Sequence, residues 1–319
     1  MKSKLFLRLF TAVAACFVLS TIAFSQTTGY RISEPVAYKN LSIFLIHGKD
    51  ENTKGNILTL QEAMERKLFV VYETSDVNEL QVENLSTELD VFIQSGDIVK
   101  GGKQDRVLAV SIIIPARSGR VSIDAFCVES GRWTKRGSED STKFNSSNDR
   151  IVTKELKIAA NSTRSQQEVW AKVSEAQSRL SKTVGETVNA PTSSSSLQLA
   201  LENKQVTATV DEYIKNLSSA VAGKSDVIGY AFAVNGKINS ADVYVSNALF
   251  KKVWMKKQKL IALLHCSNLK KHTVSIKTIN KLSANWPQHI LIFGVILRQR
   301  KNFCNWKPWA INRTVSTAN

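Results

Sequence analysis

Carboxylates are missing from the last part of this chain, and their absence decides which part can be interpreted as a folded body. The last acidic residue is Asp242. Residues 255–319 hold 12 of the 43 Lys and Arg residues, so 31 basic residues stand against 27 acidic ones over residues 1–254. The formal charge of +16 therefore comes largely from the last segment. A nearly neutral body lacks the positive surface that binds nucleic acid, so we expect no nucleic-acid partner.

Two interpretations of residues 255–319 stay open. With its Lys clusters and three Trp residues, the segment has the composition of a basic, aromatic arm for an anionic membrane or nucleic acid. Alternatively, it is an aberrant tail, produced where translation leaves its original frame near Lys251–Lys259. The absence of acids and the break in the apolar helical pattern at Trp254 favour the second interpretation. On either interpretation we expect little order in the tail.

The first 25 residues have the pattern of a secretory signal peptide. Lys2, Lys4 and Arg8 precede the apolar run Leu9–Phe24, which ends in Ala-Phe-Ser. We therefore predict cleavage near Ser25 and an exported protein, periplasmic or extracellular. Lipidation of Cys16 and an uncleaved anchor are the alternatives. Contact with a membrane is expected only through the tail or an uncleaved leader.

The body over residues 26–254 is predicted to be one α+β domain. Its only cysteine is Cys127, so no internal disulfide can form and an apolar core must hold the fold. We predict a largely antiparallel sheet packed by two or three helices, two of them near 166–182 and 210–222. At its centre we expect a hairpin of Val107–Ile114 and Val121–Val128.

Other segments carry local signals of their own. Residues 40–48 and Leu68–Glu73 are predicted strands, and Ile57–Lys67 is a predicted helix. A second hairpin, of Val227–Val234 and Ile238–Val245, should turn at Asn235-Gly236. Cys127 alternates with apolar residues along its strand, which predicts a buried side chain. Polar segments 134–148 and 191–196 are interpreted as a loop and a linker.

Two short motifs flank the predicted hairpin, GGKQDR at 101–106 and CVESGRW at 127–133. Pairing around the turn at Pro115–Arg120 places residues whose numbers sum to about 235 opposite each other. Gln104 and Asp105 should then lie beside Ser130 and Gly131. The main structural prediction is therefore that both motifs meet at one end of the hairpin.

The motif residues suggest a binding site, and the candidates are Gly101, Gly102, Lys103, Gln104, Asp105, Arg106, Glu129, Arg132 and Trp133. Paired glycines can turn N–H groups toward an anion, cations can pair with it, and Trp133 offers a flat face to a sugar or base. Asp105 and Glu129 are either an acid/base pair or the partners of the arginines. In the competing interpretation the glycines form a bulge or turn and the charges form an ion-pair network that holds the hairpin. We assign no catalytic residue, no metal site and no cofactor.

At these motifs the chain resembles the ARPP-type domain, a family named for its association with ADP-ribosylglycohydrolase and rhodanese-phosphatase proteins. GGKQDR, IIIP and CVESGRW carry the resemblance, with LTLQEAMERKLFVVYE, QQEVWAKV and GYAFAVNGKI in support. It covers about Tyr38–Trp254. Asp105 stands where the family usually has Asn, and the family pattern is lost after Trp254. The resemblance implies no established activity.

These observations lead to three functional hypotheses. The first is an exported, non-catalytic accessory domain that binds a small anionic or glycosidic ligand, or a partner protein, at the end of the hairpin where the motifs meet. The second, suggested only by the family's associations, is a hydrolase acting on ADP-ribose-like or phosphorylated sugars. The third is a structural envelope protein without a ligand.

Overall fold

The computed structural model describes residues 29–51 and 55–266. Its strands are β1 Arg31–Ile32, β2 Val36–Tyr38, β3 Leu41–His47, β4 Ile57–Thr59, β5 Phe69–Glu73, β6 Glu79–Asn84, β7 Asp90–Ile93, β8 Asp97–Gly101, β9 Arg106–Leu108, β10 Ile112–Ile114, β11 Arg120–Cys127, β12 Phe144–Ile151, β13 Val227–Val234 and β14 Lys237–Val243. Its α-helices are α1 Leu60–Glu65, α2 Lys154–Ile158, α3 Gln166–Val184, α4 Leu197–Leu201, α5 Lys204–Leu217 and α6 Asn247–Cys266. A π-helical turn, Ala159–Thr163, follows α2, and a 3₁₀ turn, Ser218–Val221, follows α5.

The strands of this α+β fold form three sheets over the described residues. The first has the order β1-β3-β13-β14, with β2 also paired to β3. The second has the order β10-β7-β4, and the third β12-β8-β9-β11-β6-β5. The pairings are antiparallel except for β4 with β7, which is parallel. The predicted antiparallel character is confirmed, whereas the prediction of one sheet with two or three helices is wrong.

The larger apolar core is formed by the first sheet, the helices and residues of the other two sheets such as Phe92 and Val107. Every residue of β13 is buried, as expected for a strand that is covered on both faces. Helix α3 contributes an apolar stripe that includes Val169, Val173 and Leu180. The helix begins where the Ser165 side chain accepts from the Glu168 N–H, and it ends at Gly185, whose φ is +80°. The predicted helix over 166–182 is thereby confirmed.

The second core lies between the second and third sheets, and it explains why the predicted central hairpin is wrong. The apolar run Val107–Ile114 is divided between two sheets: β9 pairs with the end of β11, whereas β10 pairs with β7. The start of β11 pairs with β6 instead. Leu108 of β9 and Ile114 of β10 both enter this second core, each from a different sheet. A continuous strand would hold both residues in one sheet, so the chain crosses over between them.

Local signals were more reliable where a turn fixes the geometry. The β13–β14 hairpin turns at Asn235 and Gly236, which have φ values of +51° and +73°. Positive φ at both central residues is the requirement that an Asn-Gly pair meets in a two-residue turn. The predicted strands at 40–48 and 68–73 are also confirmed as β3 and β5.

Several predicted boundaries differ from the structure. Ile57–Lys67 was predicted to be helical throughout, but it begins as β4, and Thr59 then starts α1 with a reciprocal capping box to Glu62. The predicted helix 210–222 is α5, which begins six residues earlier and ends in the 3₁₀ turn. The predicted loop 134–148 ends at β12.

Helix α6 continues past Trp254, where the apolar pattern was interpreted as broken. It runs to Cys266, with Lys257 and Ile261 fully buried. The proposed leader and residues 267–319 lie outside the described residues, and the change of reading frame stays a prediction. Within 29–51 and 55–266, no helix combines the length and apolar character needed to cross a membrane.

Candidate functional site

The two motifs meet where β9 pairs with β11. Arg106 is the register partner of Cys127, so paired residue numbers sum to 233 and not to about 235. The Val128 N–H donates to the Asp105 carbonyl at 2.9 Å. The Asp105 N–H donates to Glu129 Oε2 at 3.2 Å. The predicted meeting of the motifs is therefore confirmed, although the sum of paired residue numbers is two lower than predicted.

A buried ion network fills this junction, and we define it as Glu73, Asp105, Arg106, Glu129, Arg132 and Arg136. Three carboxylates thus stand beside three guanidinium groups. Asp105, Arg106 and Glu129 have no solvent-exposed surface. Charges in such a position must be paired and hydrogen-bonded, because ionic groups are costly to remove from water.

Asp105 is held on all sides by protein groups. Arg136 donates to both of its carboxylate oxygens at 3.1 Å. The Ser196 hydroxyl donates to Oδ2 at 3.0 Å, and the Gly101 N–H donates to Oδ1 at 3.0 Å. The carboxylate therefore has no exposed oxygen to offer a ligand.

Glu129 is paired in the same way with the arginine three residues later. Arg132 Nε and Nη2 donate to its two oxygens at 2.8 and 2.6 Å, a bidentate geometry. The Ser193 hydroxyl donates at 2.5 Å, and Arg136 contributes a longer contact of 3.5 Å. Arg136 thus bridges Asp105 and Glu129 and joins the two motifs.

The pKa values of the Asp105 and Glu129 carboxyl groups are shifted in opposite directions. Burial raises the pKa of Asp105, and the hydrogen bonds from Arg136 oppose this only in part. Burial also tends to raise the pKa of Glu129, but the hydrogen bonds from Arg132 and Ser193 outweigh it, so that pKa is lowered. A pair with divergent pKa values is what acid/base chemistry uses, although here both groups are shielded from solvent.

The third part of the ion network joins β5 to Arg106. Arg106 Nη2 lies 3.1 Å from Glu73 Oε1, and Nη1 donates to Cys127 Sγ. Burial raises the pKa of the Cys127 thiol to about 11. The interpretation of Cys127 as a buried side chain agrees with its zero exposure.

The paired glycines have positive φ, as predicted, but their N–H groups meet groups of the protein itself. Gly102 has a φ of +54°, and a Cβ there would lie 2.4 Å from Cζ of Phe144. Its N–H donates to the carbonyls of Asp140 and Lys143, while the Gly101 N–H meets Asp105. The adjacent Lys103 N–H donates to Glu73 Oε2 at 3.0 Å. The anion-facing geometry is therefore used for internal carboxylates.

Trp133 is the exposed aromatic side chain of the junction, with 43% of its surface accessible. Lys103 Nζ lies 5.2 Å from the ring centroid and also donates to Ser75 Oγ at 2.8 Å. The guanidinium carbon of the buried Arg106 lies 5.6 Å from the same centroid, within the range of a cation–π contact. We call Trp133, Lys103 and the partly exposed Arg132 the Trp133 face.

Sequence reasoning missed four residues that complete the site. Arg136 lies in the segment interpreted as a polar loop, and Ser193 and Ser196 lie in the segment interpreted as a linker. Glu73 comes from a strand predicted only as scaffold. A pattern along the chain does not identify such partners, because Glu73, Ser193 and Ser196 lie far from the motifs in sequence and Arg136 is 31 residues from its partner Asp105. The predicted residue Gln104 is buried beside the network.

A metal centre finds no support in the geometry of the described part of the chain. No group of three or more His, Cys, Asp or Glu residues there is arranged to hold a metal ion. The acidic oxygens of the junction already accept from arginines and hydroxyls.

Comparison with known protein families identifies the family of this chain. The sequence profile of the ARG and Rhodanese-Phosphatase-superfamily-associated Protein domain matches residues 29–286. The chain belongs to this family. The match runs past Trp254, where the resemblance was expected to end, and α6 is likewise continuous there. No curated protein and no solved structure matches the chain.

Proposed function

We propose that this chain is an exported accessory domain that binds a small anionic or glycosidic ligand at the Trp133 face. The observation that carries the proposal is a tryptophan left 43% exposed beside the buried ion network. Exposing a large aromatic ring forgoes burial of apolar area, and exposed aromatics are common at binding surfaces. Export rests on the leader pattern of residues 1–25.

The chemistry of the Trp133 face favours a ligand with a flat ring or sugar and a negative group. The indole ring offers a stacking surface, and the Lys103 ammonium beside it offers a charge. Arg132 donates to Glu129 through Nε and Nη2 and to the Thr134 carbonyl through Nη1, and 12% of its side chain stays exposed. The buried ion network has the supporting role: it fixes the two motif segments so that Trp133 does not collapse onto the core.

Binding is tested with the full chain by isothermal titration against ADP-ribose, ribose 5-phosphate and ribose. Trp133→Ala should weaken binding by about 30-fold, the effect of removing an aromatic anchor worth about 2 kcal/mol. Lys103→Ala should weaken binding of the two phosphorylated compounds and leave that of ribose unchanged. The matched control is Leu85→Ala, because Leu85 is also exposed, at 47%, and lies outside the junction.

Three results would count against the proposal. If none of the compounds binds, the ligand class is wrong, and a structural protein without a ligand is favoured. If a compound binds equally well to the Trp133→Ala variant, the Trp133 face is wrong. If the Leu85→Ala variant loses binding to the same extent, the effect is not specific to this face.

A hydrolase acting on ADP-ribose-like or phosphorylated sugars is the second candidate, and the divergent pKa values of Asp105 and Glu129 favour it. It requires the ion network to open, since both carboxylates are buried and paired. A hydrolase should lose turnover of ADP-ribosylated substrates in Glu129→Gln protein that stays folded. A binding domain has no turnover to lose.

A further inference from the structure

The first sheet is buried on both faces, and one of these faces belongs to neither of the two cores described above. Along β13, Tyr230 and Phe232 lie in the larger core, whereas the residue that follows each of them does not. Successive side chains of a strand point to opposite faces of the sheet, so those residues lie on the face turned away from the larger core. The apolar residues of this face, which we call the outer-face cluster, are Phe44, Ile46, Ala231, Ala233 and Ala241.

The outer-face cluster is removed from solvent. Each of its members is 5% exposed or less. Three partly buried residues, Ile32, Ile238 and Val243, pack against them from the same sheet. An antiparallel sheet with one face in water normally carries polar residues on that face. The composition and the burial of this face therefore indicate that another segment covers it.

The described helices do not supply that segment. Every buried apolar helix residue whose side chain the structure describes belongs to one of the two cores. The outer-face cluster and the residues packed against it come only from β1, β3, β13 and β14. On the edge strand β14, Asn239 Oδ1 is also buried without a hydrogen-bond partner among the described residues. Buried polar atoms are rarely left unpaired, so this oxygen points to the same missing cover.

The limits of the family domain indicate which segment covers the face. The family profile matches residues 29–286, whereas the described residues end at Cys266. Apart from residues 52–54, the part of the family domain outside the described residues is therefore 267–286. The leader and residues 287–319 lie outside the match.

The sequence of residues 267–286 suits an apolar face. Val274 and Ile276 alternate with Ser275 and Lys277, so both apolar side chains lie on one side of the segment when it is extended. Residues 273–279 then span about 23 Å, and the strands β1-β3-β13-β14 lie across about 14 Å, so the segment is long enough to cross the sheet.

We propose that residues 267–286 pack on the outer-face cluster through Val274 and Ile276 and complete the domain. This packing does not depend on a ligand at the Trp133 face. It makes residues 267–286 a native part of the domain and not part of an aberrant tail.

Photo-crosslinking in the full chain tests the contact. Benzoylphenylalanine is placed at position 276 in one protein and at position 277 in a second, and the crosslinked peptides are mapped by mass spectrometry. The apolar crosslinker at 276 should react within the chain, with peptides that contain Ile46, Ala231 or Ala241. The side chain at 277 should face away from the sheet, so its yield with the same peptides should be several-fold lower.

Hydrogen exchange in the unmodified full chain gives a second measurement without an added group. Amides of residues 272–282 should exchange at least about tenfold more slowly than those of residues 298–319, because packing on the sheet protects them. Ile276→Glu should remove this protection, and the matched control Lys277→Glu should retain it. If Ile276→Glu does not fold, the crosslinks and the exchange of the unmodified chain still decide.

Three results would overturn the proposal. The first is equal exchange of the two segments in the unmodified chain. The second is crosslinking from position 276 to the helices, or to no peptide of the first sheet, because the segment would then lie elsewhere. The third is crosslinking to the first sheet only between two chains, because a second copy would then cover the face.

Discussion

Replacing Glu129 by Gln tests the buried ion network most sharply among single substitutions. The change keeps the shape of the side chain and removes the charge that Arg132 meets with two hydrogen bonds, at 2.8 and 2.6 Å. Arg136 and Ser193 lose the same charged partner. The guanidinium of Arg132 would then lie in the junction without its carboxylate.

The expected loss of stability follows from the burial of the two partners, Glu129 and Arg132. Removing one member of a buried ion pair costs about 3–5 kcal/mol. Glu129 has no exposed surface, whereas the Arg132 side chain is 12% exposed and can turn partly toward water, which favours the lower end of that range. For a protein of this size each kcal/mol lowers Tm by about 2–4 °C. We therefore expect Glu129→Gln to lower Tm by about 10 °C.

Differential scanning calorimetry at pH 7 measures this effect. The matched control is Glu175→Gln, which removes an ion pair of similar length, 2.8 Å to Lys172, from a helix surface where Glu175 is half exposed. Its Tm should stay within about 2 °C of the unmodified protein, since exposed pairs contribute little. A Tm for Glu129→Gln as close to the unmodified value as that of the control would refute the reasoning.

The pH dependence of Tm gives an independent test of the Glu129–Arg132 ion pair. The pKa of Glu129 is lowered in the folded protein, so its contribution to stability is fully present above the ordinary value of 4.5. That contribution is lost as the pH falls through the lowered folded value. The difference in Tm between the unmodified protein and Glu129→Gln should therefore narrow in acid. A constant difference from pH 7 down to the acid limit of folding would contradict the assigned pKa direction.

Two further predictions concern Gly102 and Cys127. Gly102→Ala should lower Tm at least twice as much as Gly119→Ala. Both glycines have positive φ, but only at Gly102 would an added Cβ meet Phe144, at 2.4 Å. Equal losses of Tm by calorimetry would show that the contact is relieved. Cys127 should resist iodoacetamide at pH 8 in the native protein and react after denaturation, since the thiol is buried and its pKa is about 11. Peptide mapping separates it from the other three cysteines, and native alkylation at the rate of a free thiol would contradict its burial.

Sequence reasoning succeeded where the controlling interaction is local. The Asn235-Gly236 turn sets its own backbone geometry, and the apolar stripe of α3 repeats at helical spacing, so both were predicted correctly. The meeting of the two motifs was also predicted, because antiparallel pairing of nearby strands brings their far ends together.

Sequence reasoning failed where the local structure depends on contacts with residues that are distant in sequence. The run Val107–Ile114 looks like one strand, but its two halves face a second core that is built from two sheets. Ser196 looks like part of a linker, yet it is fully buried and donates to Asp105, 91 residues earlier. Arg136 looked like a loop charge for the same reason. Polarity along the chain does not reveal whether a charge will be buried with a partner.

The central claim is that buried charges join the two motif segments, and a double-mutant cycle between Asp105 and Arg136 measures this most directly. Asp105 lies in the first motif and Arg136 just beyond the second, and both nitrogen–oxygen contacts between them are 3.1 Å. Urea unfolding of Asp105→Asn, Arg136→Met and the double variant should give a coupling free energy of about 1.5 kcal/mol or more. Coupling below about 0.5 kcal/mol, the level of independent sites, would contradict the claim.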